Sequence, residues 1–496
     1  MPEPISAWTV TVLFSLAIGA LGLLLRRKTQ SWSHPAVVMA LFWCLMTLAP
    51  ILGVPELVAS PTAMAFIFAA MLAFGLPAFF MDWRPAAAVV AARRGSAATP
   101  FSGSEPIYLF FVLQGLTLVF MALNLQLQGY SLSLVITDPL MVSCKYLAAR
   151  YNGSLDANIF SRAGTVLNYI GAPIGGLIVA SRRGWALSLP VLILSFLPSL
   201  LSALLYADKG GVFLTAALFY GAVIVARTAA GNTALITKKT IGTCILVMLV
   251  LAPVIAVAML NRVNTECAGT DRTVTVFSNI GAVAGGGAVA GGTDTFKDAL
   301  SKTLPEPPAP SDGVIKRGRS YAFGHLFAFS DWFDHEIGAI QTKTYTDPQF
   351  RTWGFWTFMG VGKFISPEYY SSLPIGSFGE YFQRGNIRGT NIYTMFRGLI
   401  YDFSIVGAIG AMFAGGWLAS LLYRRMLTIE KAAFAQAFYV FFWGFVYTSY
   451  MVSLLIWPSV YAAAMGFFLV LVALHTSSDK KMSELFARMR GTPRHS

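Results

Sequence analysis

The stretch GNIRGTNIYTMFRGLIYDFSIVGA, residues 385–408, decides how this chain is built. It opens with glycine, asparagine and arginine, as a loop does, and closes in an apolar run that continues to Arg424. Asp402 stands at the join, and a carboxylate within hydrocarbon is costly. Helix rise gives its depth. Asp402 lies 22 residues before Arg424, roughly 33 Å along a helix, against a hydrocarbon core of about 30 Å. Arg424 and Asp402 are therefore expected at opposite faces of a membrane. The helix, capped by Thr390 or Asn391, is expected to project beyond the hydrocarbon and carry Arg397, Tyr401 and Asp402 at the level of the lipid headgroups.

The rest of the chain has the same character. Of 496 residues, 56% are hydrophobic and 12% charged, and the mean hydropathy is +0.62. A soluble chain carries about a quarter charged residues. Long apolar runs recur, and eleven spans are predicted at about 5–25, 36–54, 62–81, 107–125, 164–180, 186–206, 211–227, 241–260, 395–422, 432–452 and 457–474. The first run is too long for the apolar core of a cleaved leader and ends in Arg26-Arg27-Lys28 with no small-residue cleavage site. The fold class expected is an all-α polytopic membrane protein.

Orientation follows from lysine and arginine. One set of segments, including Arg26 to Lys28, Arg424, Arg425 and the tail after His475, carries nineteen; the short loops of the opposite set carry four, Lys145, Arg150, Arg162 and Lys209. This places the N-terminus outside the cytoplasm and the C-terminus inside. The net charge of +13 is thus mostly a topology signal, and no nucleic-acid partner is expected. Four regions result: a membrane bundle of eight spans (1–260), a large external loop (261–394), three C-terminal spans (395–475) and a basic tail (476–496). Within the loop, 281–292 is glycine-rich and read as non-spanning, and 304–313 is a proline-rich linker. The aromatic segments around 320–338 and 351–365 are too short to span and suit amphipathic or re-entrant helices at the interface. Cys144 and Cys267 fall on the same external face, where a disulfide or two thiols would each be compatible.

Motifs for nucleotide hydrolysis, dinucleotide binding, zinc hydrolysis and serine hydrolysis are all absent. The remaining chemistry clusters in a few places. Arg384, Arg388 and Arg397 flank glycines near a helix N-terminus, a pattern suited to phosphate, although arginines also anchor helix ends. Asp208, Lys209, Gly210 and Gly211 form a tight external turn that is either a plain hairpin or a second cation site. In FGHLFAFSDWFDHEIG (323–338), His325 sits among aromatics as a candidate general base. His335 reads more simply as incidental, and the aromatics, Trp332 beside Asp331 together with Tyr393 and Tyr401, suit a glycan.

Three segments carry a family resemblance: GHLFAFSDWF (324–333), GFWTFMGVGKF (354–364) and TNIYTMFRGLIYDFSIVGAIG (390–410). With the large late external loop, they make the chain resemble the Wzy-type O-antigen polymerases, the oligosaccharide repeat unit polymerases. The resemblance implies a GT-C-like, metal-independent glycosyltransferase of the bacterial inner membrane, without cofactor. Its substrate would be oligosaccharide linked to undecaprenyl diphosphate, its surroundings membrane lipid, and its partners a chain-length regulator and a flippase. It implies diphosphate binding by Arg388 and Arg397, with Arg384 and Lys209 as further cations. Relatives often read SRG where this chain has Asp208-Lys209-Gly210, and DFG where it has Asp402-Phe403-Ser404. Asp402 would accept a proton or hold an arginine. The alternatives are an O-antigen ligase, in which a loop histidine such as His325 would act, a lipid-linked sugar transporter or flippase, and a structural scaffold.

Overall fold

The computed structural model describes residues 4–94, 101–151, 158–182, 184–206, 208–237, 242, 314–341, 354–365, 382–385, 387–390 and 392–489. The glycine-rich and proline-rich segments of the large loop, and all but one residue of the predicted span 241–260, lie outside the described residues.

The described chain is almost entirely helical. In order come α1 (Pro4–Thr29), α2 (Pro35–Gly53), α3 (Pro61–Gly75), α4 (Pro77–Phe80), α5 (Arg84–Ala92), α6 (Glu105–Leu127), α7 (Leu132–Thr137), α8 (Pro139–Tyr151), α9 (Ile159–Ser181), α10 (Trp185–Tyr206) and α11 (Lys209–Ala229). Then follow α12 (Val314–Gln341), α13 (Phe355–Ile365), the strands β1 (Phe382–Arg384) and β2 (Ile387–Thr390), α14 (Thr394–Thr428), α15 (Ala433–Thr448) and α16 (Pro458–Met489). Among the described residues nine helices are long and apolar enough to cross a membrane, and they match nine of the eleven predicted spans. The chain is a polytopic helical membrane protein.

The tenth span is the shorter α15. At 16 residues it reaches roughly 24 Å, less than a hydrocarbon core. It ends early because the chain after it turns inside protein: Thr448, Ser449 and Ser453 are buried. Trp43 donates its indole N–H to Ser449 Oγ at 3.1 Å, and the Met395 N–H reaches the Ser449 carbonyl at 2.9 Å. Irregular backbone at such depth is tolerated only where protein satisfies it.

Local chemistry starts the helices. Proline occupies the first turn of α2, α3 and α4, where its missing N–H costs nothing. Ser60, Asn158 and Asp208 cap α3, α9 and α11. Asp208 accepts the Gly211 N–H at 3.2 Å, and a Cβ on Gly211 would meet that carboxylate at 2.8 Å. The DKGG turn is thus built around a helix cap.

The helices pack in two neighbourhoods. α9 contacts α6, α10, α11 and α16, while α1, α2, α3 and α14 pack together; α15 touches α11, α14 and α2 and joins them. Close approach uses small residues. A Cβ on Gly416 of α14 would lie 2.0 Å from the Phe74 carbonyl oxygen of α3.

Two features add detail to the all-α reading. The all-α reading misses a small antiparallel hairpin, β1–β2, in which Arg384 pairs with Ile387. Gly385 turns it at φ +57°, so this glycine serves a reversal of the chain. The segment around 320–338 is more than an interfacial helix. Residues 324–330 of α12 are buried without interruption, because α2, α3, α14 and the hairpin surround it. Its Phe329 and Phe333 pack on Phe66, and Phe329 packs on Phe396. A Cβ on Gly324 would clash with the Thr390 side chain at 2.7 Å, so the glycine lets strand and helix touch.

Candidate functional site

α14 governs the site. It begins at Thr394 rather than at a Thr390 or Asn391 cap, and Tyr393 precedes it without a side-chain cap. It is also interrupted: Ser404 has φ 67° and ψ 176°. Residues 405–428 therefore run as one helix of roughly 36 Å, sufficient to cross hydrocarbon, and 394–403 form a separate short helix of nearly three turns at its head. The unbroken rise assumed between Asp402 and Arg424 is replaced by a break two residues after Asp402.

That head carries Arg397, which is 2% exposed. Three aromatic rings surround its guanidinium. The carbon Cζ lies 4.3 Å from the Tyr393 ring centre, 5.0 Å from that of Trp332 and 5.5 Å from that of Tyr401. Its Nη2 donates to the Tyr401 hydroxyl at 3.3 Å, and the Trp332 indole N–H donates to the same oxygen at 3.2 Å. Trp356 lies 6.2 Å from Tyr401, ring centre to ring centre. Cation–π attraction is worth about 2 kcal/mol per contact when desolvated, and Arg–ring stacking fixes the guanidinium plane.

Asp402, one residue beyond Tyr401, is fully buried. It accepts the Trp356 N–H at 3.1 Å, the Thr357 N–H at 2.7 Å and the Thr357 hydroxyl at 2.6 Å. Those amides belong to the first turn of α13, whose N–H groups have no partner within the helix. Asp402 thus caps α13 from another element, and a carboxylate at a helix N-terminus also meets the favourable end of its dipole. The Thr357 carbonyl in turn accepts the Ser453 hydroxyl at 3.1 Å. Gly398 lets Trp356 approach, since a Cβ there would lie 3.1 Å from the Trp356 Cβ.

The structure gathers five sequence-predicted residues, Arg397, Asp402, Tyr393, Tyr401 and Trp332, and leaves the others apart. His325 is fully buried. Its Nε2 meets the Met46 carbonyl at 3.0 Å, and its ring stands edge-on to Tyr450 at 5.1 Å. A general base must reach the proton it removes; this ring instead ties α12 to α2, and burial pushes it down to about 4. Asp331 and Arg384 pair at 3.9 Å on the surface, 60% and 71% exposed. Asp334 accepts from the Ser60 and Thr62 hydroxyls, both at 2.6 Å. Arg388 lies in β2 and Lys209 opens α11; their side chains lie outside the described residues. Trp356 and Thr357 were not singled out from sequence, because their part depends on a contact with Asp402 across 45 residues.

Cys144 is disulfide-bonded and Cys44 is free. The partner, and with it the Cys144–Cys267 expectation, lies outside the described residues.

Compared with known proteins, the chain matches no family model, no curated protein and no solved structure.

Proposed function

We propose that this chain is a membrane glycosyltransferase that polymerises oligosaccharide units carried on undecaprenyl diphosphate, in the manner of the Wzy-type polymerases it resembles. The observation that carries the reading is convergence. The three segments of the resemblance, separate in sequence, meet at one place: Trp332 from α12 and Tyr393 and Tyr401 from the head of α14 surround the Arg397 guanidinium, and Trp356 from α13 packs against Tyr401. A cation with fixed orientation, ringed by aromatics, suits a ligand that joins a diphosphate to sugars. Exposed Arg384 adds a second cation on the adjoining hairpin. Its ion pair with Asp331 is solvent-screened and worth little, so an anion can replace it.

In this reading a hydroxyl of the incoming unit attacks the anomeric carbon of the growing chain. The glycosyl–oxygen bond breaks, the lipid diphosphate leaves with the electron pair, and the hydroxyl proton passes to solvent. Cations stabilise the charge that develops on the leaving group. Asp402 serves as the anchor of α13, which places Trp356 against Tyr401.

The site faces the periplasm, with the N-terminus periplasmic and the C-terminus cytoplasmic. The charge bias supports this side, and so does the disulfide at Cys144, since such bonds persist in oxidising compartments. The ligase reading leaned on His325, whose ring is occupied in the core.

The test supplies purified protein with lipid-linked repeat units, without nucleotide or metal, and resolves products by size. A ladder of longer lipid-linked glycans supports polymerisation. Transfer to lipid A–core without a ladder sinks it in favour of ligation. Arg397→Ala should abolish the ladder while the chain still accumulates in the membrane; near-normal chain growth would reduce Arg397 to a packing residue.

A further inference from the structure

A cavity of about 410 Å³ opens among α6, α8, α9, α10 and α11, in a different part of the bundle from the arginine cage. Such a volume lies within the range of small-molecule sites, about 300–1,000 Å³. Asn168 of α9 lines it, nine residues from the start of that helix and so roughly 13 Å along it. Asn168 is 8% exposed. Its Nδ2 donates to Ser199 Oγ at 2.9 Å and Thr215 Oγ1 at 3.2 Å, and those hydroxyls bond each other at 2.7 Å. Both amide hydrogens are thereby used. The amide oxygen, Oδ1, is buried and meets no donor among the described residues. A buried acceptor left open in the lining of a cavity calls for a donor from whatever fills it.

The walls say what kind of donor. Among the described residues the lining holds the cation Arg162 and the anion Asp208, and Asp208 is already engaged as the α11 cap. Around them stand neutral hydroxyls, including Thr165 and Ser202, and the rings of Tyr146 and Tyr206, which pack at 4.5 Å. Hydroxyls and amides match a ligand rich in hydroxyls, and aromatic rings cover the C–H face of a sugar.

We propose that this cavity binds a sugar ring, one of whose hydroxyls donates to Asn168 Oδ1. The site gives the glycan of a lipid-linked substrate its own seat, separate from the cations that hold its diphosphate. It rests on the glycosyltransferase reading for this role and for the choice of probe.

The probe is the repeat-unit glycan of the host strain, freed of lipid and phosphate and tagged with a diazirine at its reducing end. It is irradiated with the purified full chain, and labelled peptides are located by mass spectrometry. Label is expected in α9 and α10, competed by untagged glycan and not by inorganic pyrophosphate. Asn168→Leu should lower the label about tenfold, the loss of one buried hydrogen bond. Thr165→Trp, a change at an exposed position on the cavity wall, should abolish it without touching the core. Label confined to α12–α14, competition by pyrophosphate, or unchanged label in Thr165→Trp overturns the proposal; an unlabelled cavity means that it holds only water. The polymerisation assay runs alongside. Label without a ladder sinks the polymerase reading alone, and a ladder without label sinks this inference alone.

Discussion

Ser404 offers a test of how the head of α14 is built. With φ 67° and ψ 176° it occupies backbone space that is nearly reserved for glycine, and a side chain held there costs on the order of 1–3 kcal/mol. Its hydroxyl accepts the Gly407 N–H at 3.4 Å and so caps the helix that follows. Replacing such a cap by glycine costs only a few tenths of a kcal/mol. Glycine's extra freedom in the unfolded chain costs roughly 0.4–1 kcal/mol. Ser404→Gly should therefore stabilise the fold by about 0.5–1.5 kcal/mol. Ser404→Ala keeps the strain and loses the cap, and should destabilise by about 1 kcal/mol. The assay heats purified protein in detergent with a thiol-reactive dye. Cys44, half-buried against Gly19, reports the opening of the bundle. At about 2 °C per kcal/mol for a large chain, the glycine variant should melt one to three degrees above wild type and the alanine variant below it. A glycine variant that melts no higher than wild type would refute the strain argument, and with it the break in α14.

Other consequences concern neighbouring residues. Asp402→Ala leaves the three α13 donors without their acceptor and should cost about 2–4 kcal/mol, read as faster amide exchange across residues 355–365. Thr357→Val removes only the hydroxyl and should cost about 1 kcal/mol; equal losses would show that Asp402 does not act through α13. For His325 the shift is downward, from 6.5 to about 4, so the folded chain binds this proton less readily than the unfolded one. Its contribution is complete above pH 6.5 and drains away as pH falls through 4. His325→Gln should flatten the acid limb of the melting curve, and an unchanged limb would place the titration elsewhere. Thiol counting after Cys267→Ser should reveal Cys144 as a new free thiol; release by Cys244→Ser instead would overturn the expected pairing.

The segments of the site were legible in the sequence, and their roles were not. Arg397, Tyr401 and Asp402 stand out because polar residues at the head of an apolar run are conspicuous. That Asp402 faces Thr357, or that Trp332 lies against Arg397, depends on contacts between residues 45 and 65 positions apart, which no local pattern encodes. His325 shows the reverse. Its neighbours made it look reactive, and only the packing of α12 against α2 shows its ring to be part of the core. The cavity at Asn168 leaves no mark in the charge pattern, because Asn168, Ser199 and Thr215 are neutral and lie within apolar spans.

What the sequence determined by itself is the membrane class and the positions of the spans, because transfer of apolar side chains from water is additive along the chain and does not depend on what packs against what. What only the tertiary structure decided is which polar groups meet. Hydrogen bonds and cation–π contacts act over a few ångströms, and the residues that make them are brought within that range only when α12, α13 and α14 close on one another.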